Sequence, residues 1–177
     1  MEIEFFVVVV HIIGTIIGVG GATFIEAHLG QAFKDKLVSA EEKALLAIDY
    51  KMVRIGLILC LTSGFAFLLI DKFEGNTKYL YSPKLWAKML MVIFIAGNTL
   101  LLQARAINLY WGSAISFVSW WWAALIGIFV TQRVTVDFFG GGGAFLTQFS
   151  SLMIMFVVLV GISAVVLNAF RNRASSN

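Results

Sequence analysis

The stretch FFVVVVHIIGTIIGVGGATFI, residues Phe5–Ile25, decides the fold. It holds no lysine, arginine, aspartate or glutamate. At a rise of ~1.5 Å per residue, a helix of this length crosses the ~30 Å hydrocarbon core of a bilayer. His11 is its only ionisable side chain. In hydrocarbon such a group is rare unless it faces a partner, a cofactor or water. At a helical step of ~100° per residue, Gly14, Thr15, Gly18 and Ala22 fall on the His11 face. That face has little bulk, so another helix or a flat ligand can come close to it.

The rest of the chain follows the same pattern. Hydrophobic residues make up 60% of the sequence and charged residues 13%, about half of the ~25% usual in soluble domains. Four further apolar stretches, Met52–Ile70, Leu85–Leu102, Ser113–Val130 and Phe145–Phe170, are each about as long as a bilayer requires. The expected fold is all-α: one integral membrane domain over residues 1–177, with helices at about 5–25, 40–70, 83–105, 113–131 and 145–170. Ser39-Ala-Glu-Glu42 reads as a capping box that starts a cytoplasmic extension of helix two. Ser82-Pro83 reads as an N-cap with proline at the first helical position. Gly140–Gly143 reads as a flexible link. The N-terminus, Met1-Glu-Ile-Glu4, is acidic where a secretory signal would be basic, so the first segment is expected to be retained.

Lysine and arginine in the loops give an orientation. Lys34, Lys36, Lys43, Lys51, Arg54, Arg105, Arg171 and Arg173 lie on one side; Lys72, Lys78, Lys84, Lys88 and Arg133 lie on the other, accounting for all 13. The expectation is a multi-pass protein of the cell inner (plasma) membrane, N-terminus outside and C-terminus cytoplasmic. Its partners would be lipid and either further copies of itself or a larger membrane complex. A net charge of +3 without a basic stripe argues against nucleic acid. Cys60 is the only cysteine, which excludes an intramolecular disulfide and dithiol chemistry. No phosphate-binding loop, zinc-protease motif or nucleophile elbow is present.

His11 is therefore the leading candidate, as an axial ligand to haem iron or as a proton carrier; the alternative is a hydrogen bond to a neighbouring helix. Lys88, one turn into helix three, either snorkels to the headgroups or meets His11 at similar depth. Gly14-x-x-x-Gly18 matches a helix-packing face. Glu26, His28, Arg54, Gln103 and Arg105 sit at helix ends, where charge is ordinary, although Glu26 shares the His11 face. Asn98 is expected to bond across helices. Of Trp120, Trp121 and Trp122, at least one should face the bundle and one the lipid.

His11-Ile-Ile-Gly-Thr-Ile-Ile-Gly-Val-Gly-Gly and Ser82-Pro-Lys-Leu-Trp-Ala-Lys88-Met-Leu-Met-Val together resemble membrane proteins related to the copper-resistance membrane domain and the haem-containing membrane protoporphyrinogen oxidase. The likeness covers the first ~105 residues. It implies haem b, with His11 as axial metal ligand and Lys88 on a propionate. Gly14, Thr15 and Gly18 would then give the macrocycle room, and Met91 would be a candidate soft ligand at workable depth. The second histidine of that pattern has no counterpart here, so ligation would rest on His11 alone. The resulting expectation is a haem- or porphyrin-associated protein of electron transfer or haem metabolism. The alternatives are a small proton or solute channel or transporter lined by His11, Thr15 and Glu26, or an accessory subunit.

Overall fold

A computed structural model of the chain describes residues 2–35, 39–75, 81–131, 138–140 and 145–176. Five helices follow one another: α1 (Glu2–Asp35), α2 (Ala40–Phe73), α3 (Pro83–Gln103), α4 (Leu109–Thr131) and α5 (Phe145–Ser176). No strand occurs among the described residues. Each helix is long and apolar enough to cross a membrane. Large side chains such as Phe5, Ile16, Ile58, Leu100 and Ile162 point outward and are more than half exposed. In water such a surface would aggregate; in a bilayer it is the lipid face.

The helices outrun the apolar stretches that announce them. α1 starts three residues before Phe5 and continues ten past Ile25, and α5 runs on to Ser176. Nothing in those flanks breaks a helix, and polar residues continue one readily once it leaves the hydrocarbon. α2 starts at the expected capping box. Glu42 N–H donates to Ser39 Oγ at 3.1 Å and Ser39 N–H to Glu42 Oε2 at 2.7 Å. Ser82 differs from expectation: it is the N-cap of α3, but its side chain makes no cap bond. Its carbonyl accepts from Leu85 and Trp86 instead. Pro83 occupies N1, as expected. Of the glycine link, Gly140 adopts a left-handed φ of 64°; Gly141–Gly143 lie outside the described residues.

Packing divides the bundle into a pair and a trio. α1 lies along α2, while α3, α4 and α5 pack on one another, and α4 joins the two groups by contacting α1. The trio is centred on Phe156, Leu152, Met91, Ala114 and Ile126. The pair is held by missing side chains. A Cβ on Gly14 would lie 2.8 Å from Leu59 Cβ, and one on Gly56 would lie 2.5 Å from the Gly18 nitrogen. One on Gly21 would lie 3.0 Å from the Val53 nitrogen. These glycines bring the two backbones together, which is how helices associate where lipid offers no hydrophobic drive.

Candidate functional site

Consecutive helices alternate in direction, so polar groups far apart in sequence gather at two levels. One level holds His11, Ser63 from α2 and Lys88 from α3. Ser63 Oγ gives its hydrogen to the Leu59 carbonyl at 2.5 Å. It can therefore only accept from the ring, and His11 Nδ1 donates to it at 2.9 Å. That places a proton on Nδ1. Phe67 closes one side of the imidazole edge-on, with centroids 6.1 Å apart. The Lys88 ammonium is half-buried and within Coulombic range of the imidazole. Lys84, another cation, lies within Coulombic range of Lys88. Among the described residues Lys88 has no ion-pair partner.

The other level is closed by complementary pairs. Arg171 grips Glu26 with both arms of its guanidinium: Nε donates to Oε1 at 2.8 Å and Nη2 to Oε2. Its Nη1 donates to Asn168 at 3.1 Å and Nη2 also to Ser113 at 3.0 Å. The two charged side chains are only 14% and 8% exposed. Two residues further along α1, His28 Nδ1 lies 2.5 Å from Asp49 Oδ2 and the ring stacks on Phe24. Glu26 and His28 are thus paired groups that tie α1 to α5 and to α2, where the sequence suggested ordinary charge at helix ends. Arg54 and Gln103 meet across α2 and α3. With its amide oxygen facing the guanidinium, Gln103 accepts from Arg54 at 2.8 and 3.1 Å.

Between the two levels the polar file stops. Thr15 turns its hydroxyl back to the His11 carbonyl at 2.9 Å and lies 3.6 Å from Cys60 Sγ. Beyond it, the indole of Trp120 sits on Gly18, and Ala22 is buried. Trp120 Nε1 is buried without a hydrogen-bond partner among the described groups. The other two tryptophans diverge as their spacing requires. Trp121, 42% exposed, donates to Thr23 at 3.1 Å, and Trp122 donates to Ser163 at 2.9 Å. Asn98 donates to the Gly112 carbonyl at 3.0 Å, linking α3 to α4.

Of the six residues expected around a haem, the structure brings together His11 and Lys88. Gly14 and Gly18 face α2 and Trp120, Thr15 is engaged with its own helix, and Met91 is buried in the α3–α4–α5 core. The slot a porphyrin would need along the His11–Gly14–Gly18 face is filled by the α2 backbone and the Trp120 indole, so the residues present do not fit a haem on that face.

Sequence reasoning missed Ser63, Asp49 and the role of Arg171. Ser63 carried a readable signal, a serine on α2 at the depth of His11 once the helices are taken as antiparallel. Arg171 carried none, being one more cation beyond an apolar stretch. No family model, no curated protein and no solved structure matches this chain.

Proposed function

We propose that the protein binds and conducts a small anion, as a compact channel or transporter, at the His11–Lys88 level. One observation carries this reading: a half-buried ammonium within a membrane span whose charged neighbour is another cation. In low dielectric such a charge is costly until an anion sits beside it. Lys88 supplies the fixed charge. His11, held by Ser63 through Nδ1, takes or releases a proton next to the bound anion. Trp120, seated on Gly18, plugs the path between this level and the Glu26 level. The charge balance of the loops supports an outside N-terminus and a cytoplasmic C-terminus, which puts Lys88 near the outer face.

The test is anion flux in liposomes holding the purified protein, with chloride, acetate and phosphate as probes. Flux should vanish in Lys88→Met and persist in part in Lys88→Arg. Trp120→Ala should raise it. Absence of flux in both wild type and Trp120→Ala, or unchanged flux in Lys88→Met, would overturn the proposal. A Soret band on haem titration that disappears in His11→Ala would replace it with the porphyrin reading.

A further inference from the structure

A second basic locus lies at the opposite end of the bundle, independent of the reading of His11. α2 rests on α1 and hardly touches α3, so a cleft of about 900 Å³ opens between α2 and the α3–α4 connection. Its polar wall is Tyr50, Lys51, Arg54, Gln103 and Arg105. Its apolar floor includes Leu102 and Leu109. Among the described residues the lining has three cations and no carboxylate. The cleft lies where α3 ends and α4 begins, which is the boundary between hydrocarbon and headgroups for a protein whose helices span the bilayer.

The backbone adds an independent observation. Arg105 has φ of 54°, the one left-handed non-glycine among the described residues. Arg105 N–H donates to Leu102 O at 3.1 Å and Ala106 N–H to Leu101 O at 3.0 Å. That is the Schellman pattern, whose left-handed position is normally glycine. An arginine there is strained. The strain accompanies a guanidinium delivered to the wall of the cleft. Arg54 is held on the same wall by Gln103.

We propose that this cleft binds the phosphate of an anionic phospholipid, with Arg54, Arg105 and Lys51 on the headgroup and an acyl chain against Leu102 and Leu109. Guanidinium groups match phosphate oxygens in pairs, and a floor of leucine suits a chain and not a hydrated ion. A ring of snorkelling cations would lack both the apolar floor and the strained arginine.

The full-length protein in neutral detergent tests this by thermal unfolding against three additives: short-chain phosphatidylglycerol, short-chain phosphatidylcholine and inorganic phosphate. Phosphatidylglycerol should raise the midpoint saturably and phosphatidylcholine should not. An equal response to inorganic phosphate would keep the phosphate site but make its source soluble, overturning the lipid assignment. Arg105→Gly is the decisive variant. It should unfold at a higher temperature than wild type without lipid, because glycine relieves the left-handed strain. It should also bind phosphatidylglycerol at least about tenfold more weakly, the loss expected from one charged hydrogen bond. Arg54→Gln should weaken binding similarly, while Lys43→Gln, which removes the same charge at the same end outside the cleft, should not. Equal lipid affinity in wild type, Arg105→Gly and Arg54→Gln would sink the proposal, as would an equal loss in Lys43→Gln.

Discussion

The two ends of this bundle hold ionisable side chains at comparable depth and treat them in opposite ways. At the Glu26 end, the ionisable side chains Glu26 and His28 on α1 each have a partner on another helix, Arg171 and Asp49 respectively. At the His11 end, a serine meets the imidazole, and the ammonium beside it is accompanied by a further cation. Pairing consumes charge to hold helices together. Lys88, which has no ion-pair partner among the described residues, does not tie helices together in that way. The comparison therefore separates polar groups that tie helices together from a charge that, among the described residues, does not.

The largest effect should come from breaking the closed end. Glu26→Ala leaves the Arg171 guanidinium buried and uncompensated, and should cost about 3–5 kcal/mol. The readout is thermal or denaturant unfolding in detergent. Arg171→Ala should cost a similar amount, and the double variant less than the sum of the two. If Glu26→Ala unfolds like wild type, the pair is solvated and the contrast between the ends disappears.

Next in size is Gly18→Leu. Its side chain would overlap the Trp120 indole that sits on Gly18. Overpacking of this kind costs about 1–3 kcal/mol. Leu68→Ala, at a half-buried position on α2, should cost less, because lipid receives a leucine as well as a protein surface does. Equal yield and melting temperature for Gly18→Leu and wild type would show that the α1 face is loose and that a flat ligand could enter it.

Ser63→Ala removes the acceptor of the His11 Nδ1 proton. A single hydrogen bond is worth about 1 kcal/mol, so stability should fall only slightly. The informative readout is nitrogen NMR of the labelled imidazole. Nδ1 carries the proton in wild type, and the variant should show a mixture of tautomers. An unchanged spectrum would mean that the ring is held by something other than Ser63.

These contrasts also show what a linear sequence conveys. Helix number, the Ser39–Glu42 cap and the glycine face of α1 depend on residues within a few turns of each other, so spacing alone exposes them. The Asn98 bond and the divergence of Trp120, Trp121 and Trp122 were foreseeable in kind, because a polar atom or a consecutive triplet on a helix leaves few choices. The partners of Glu26 and His28 were not. Arg171 lies 145 residues from Glu26 and Asp49 lies 21 from His28, and only the antiparallel stacking of the helices brings them together. Gly14 and Gly18 show the remaining ambiguity. A face stripped of bulk reads the same whether a helix or a ligand fills it, and here α2 and Trp120 take the space.

The smallest expected effect on stability, and the one that sharpens the comparison most, belongs to Lys88→Met. The long apolar stem of lysine is kept and the charge is lost. If Lys88 made a structural pair, the substitution would strand its partner and destabilise by as much as Glu26→Ala. With another cation as its charged neighbour, the protein should instead melt at the wild-type temperature or slightly above, since an apolar replacement for a buried charge is often neutral or favourable. Anion-dependent stabilisation, measured as the rise in melting temperature with added acetate or phosphate, should disappear in the same variant. His11→Gln should keep part of it, because the amide still offers a donor at that level. A large loss of stability in Lys88→Met would show that the open end is closed after all by a partner to the ammonium, and both ends of the bundle would then serve the fold alone.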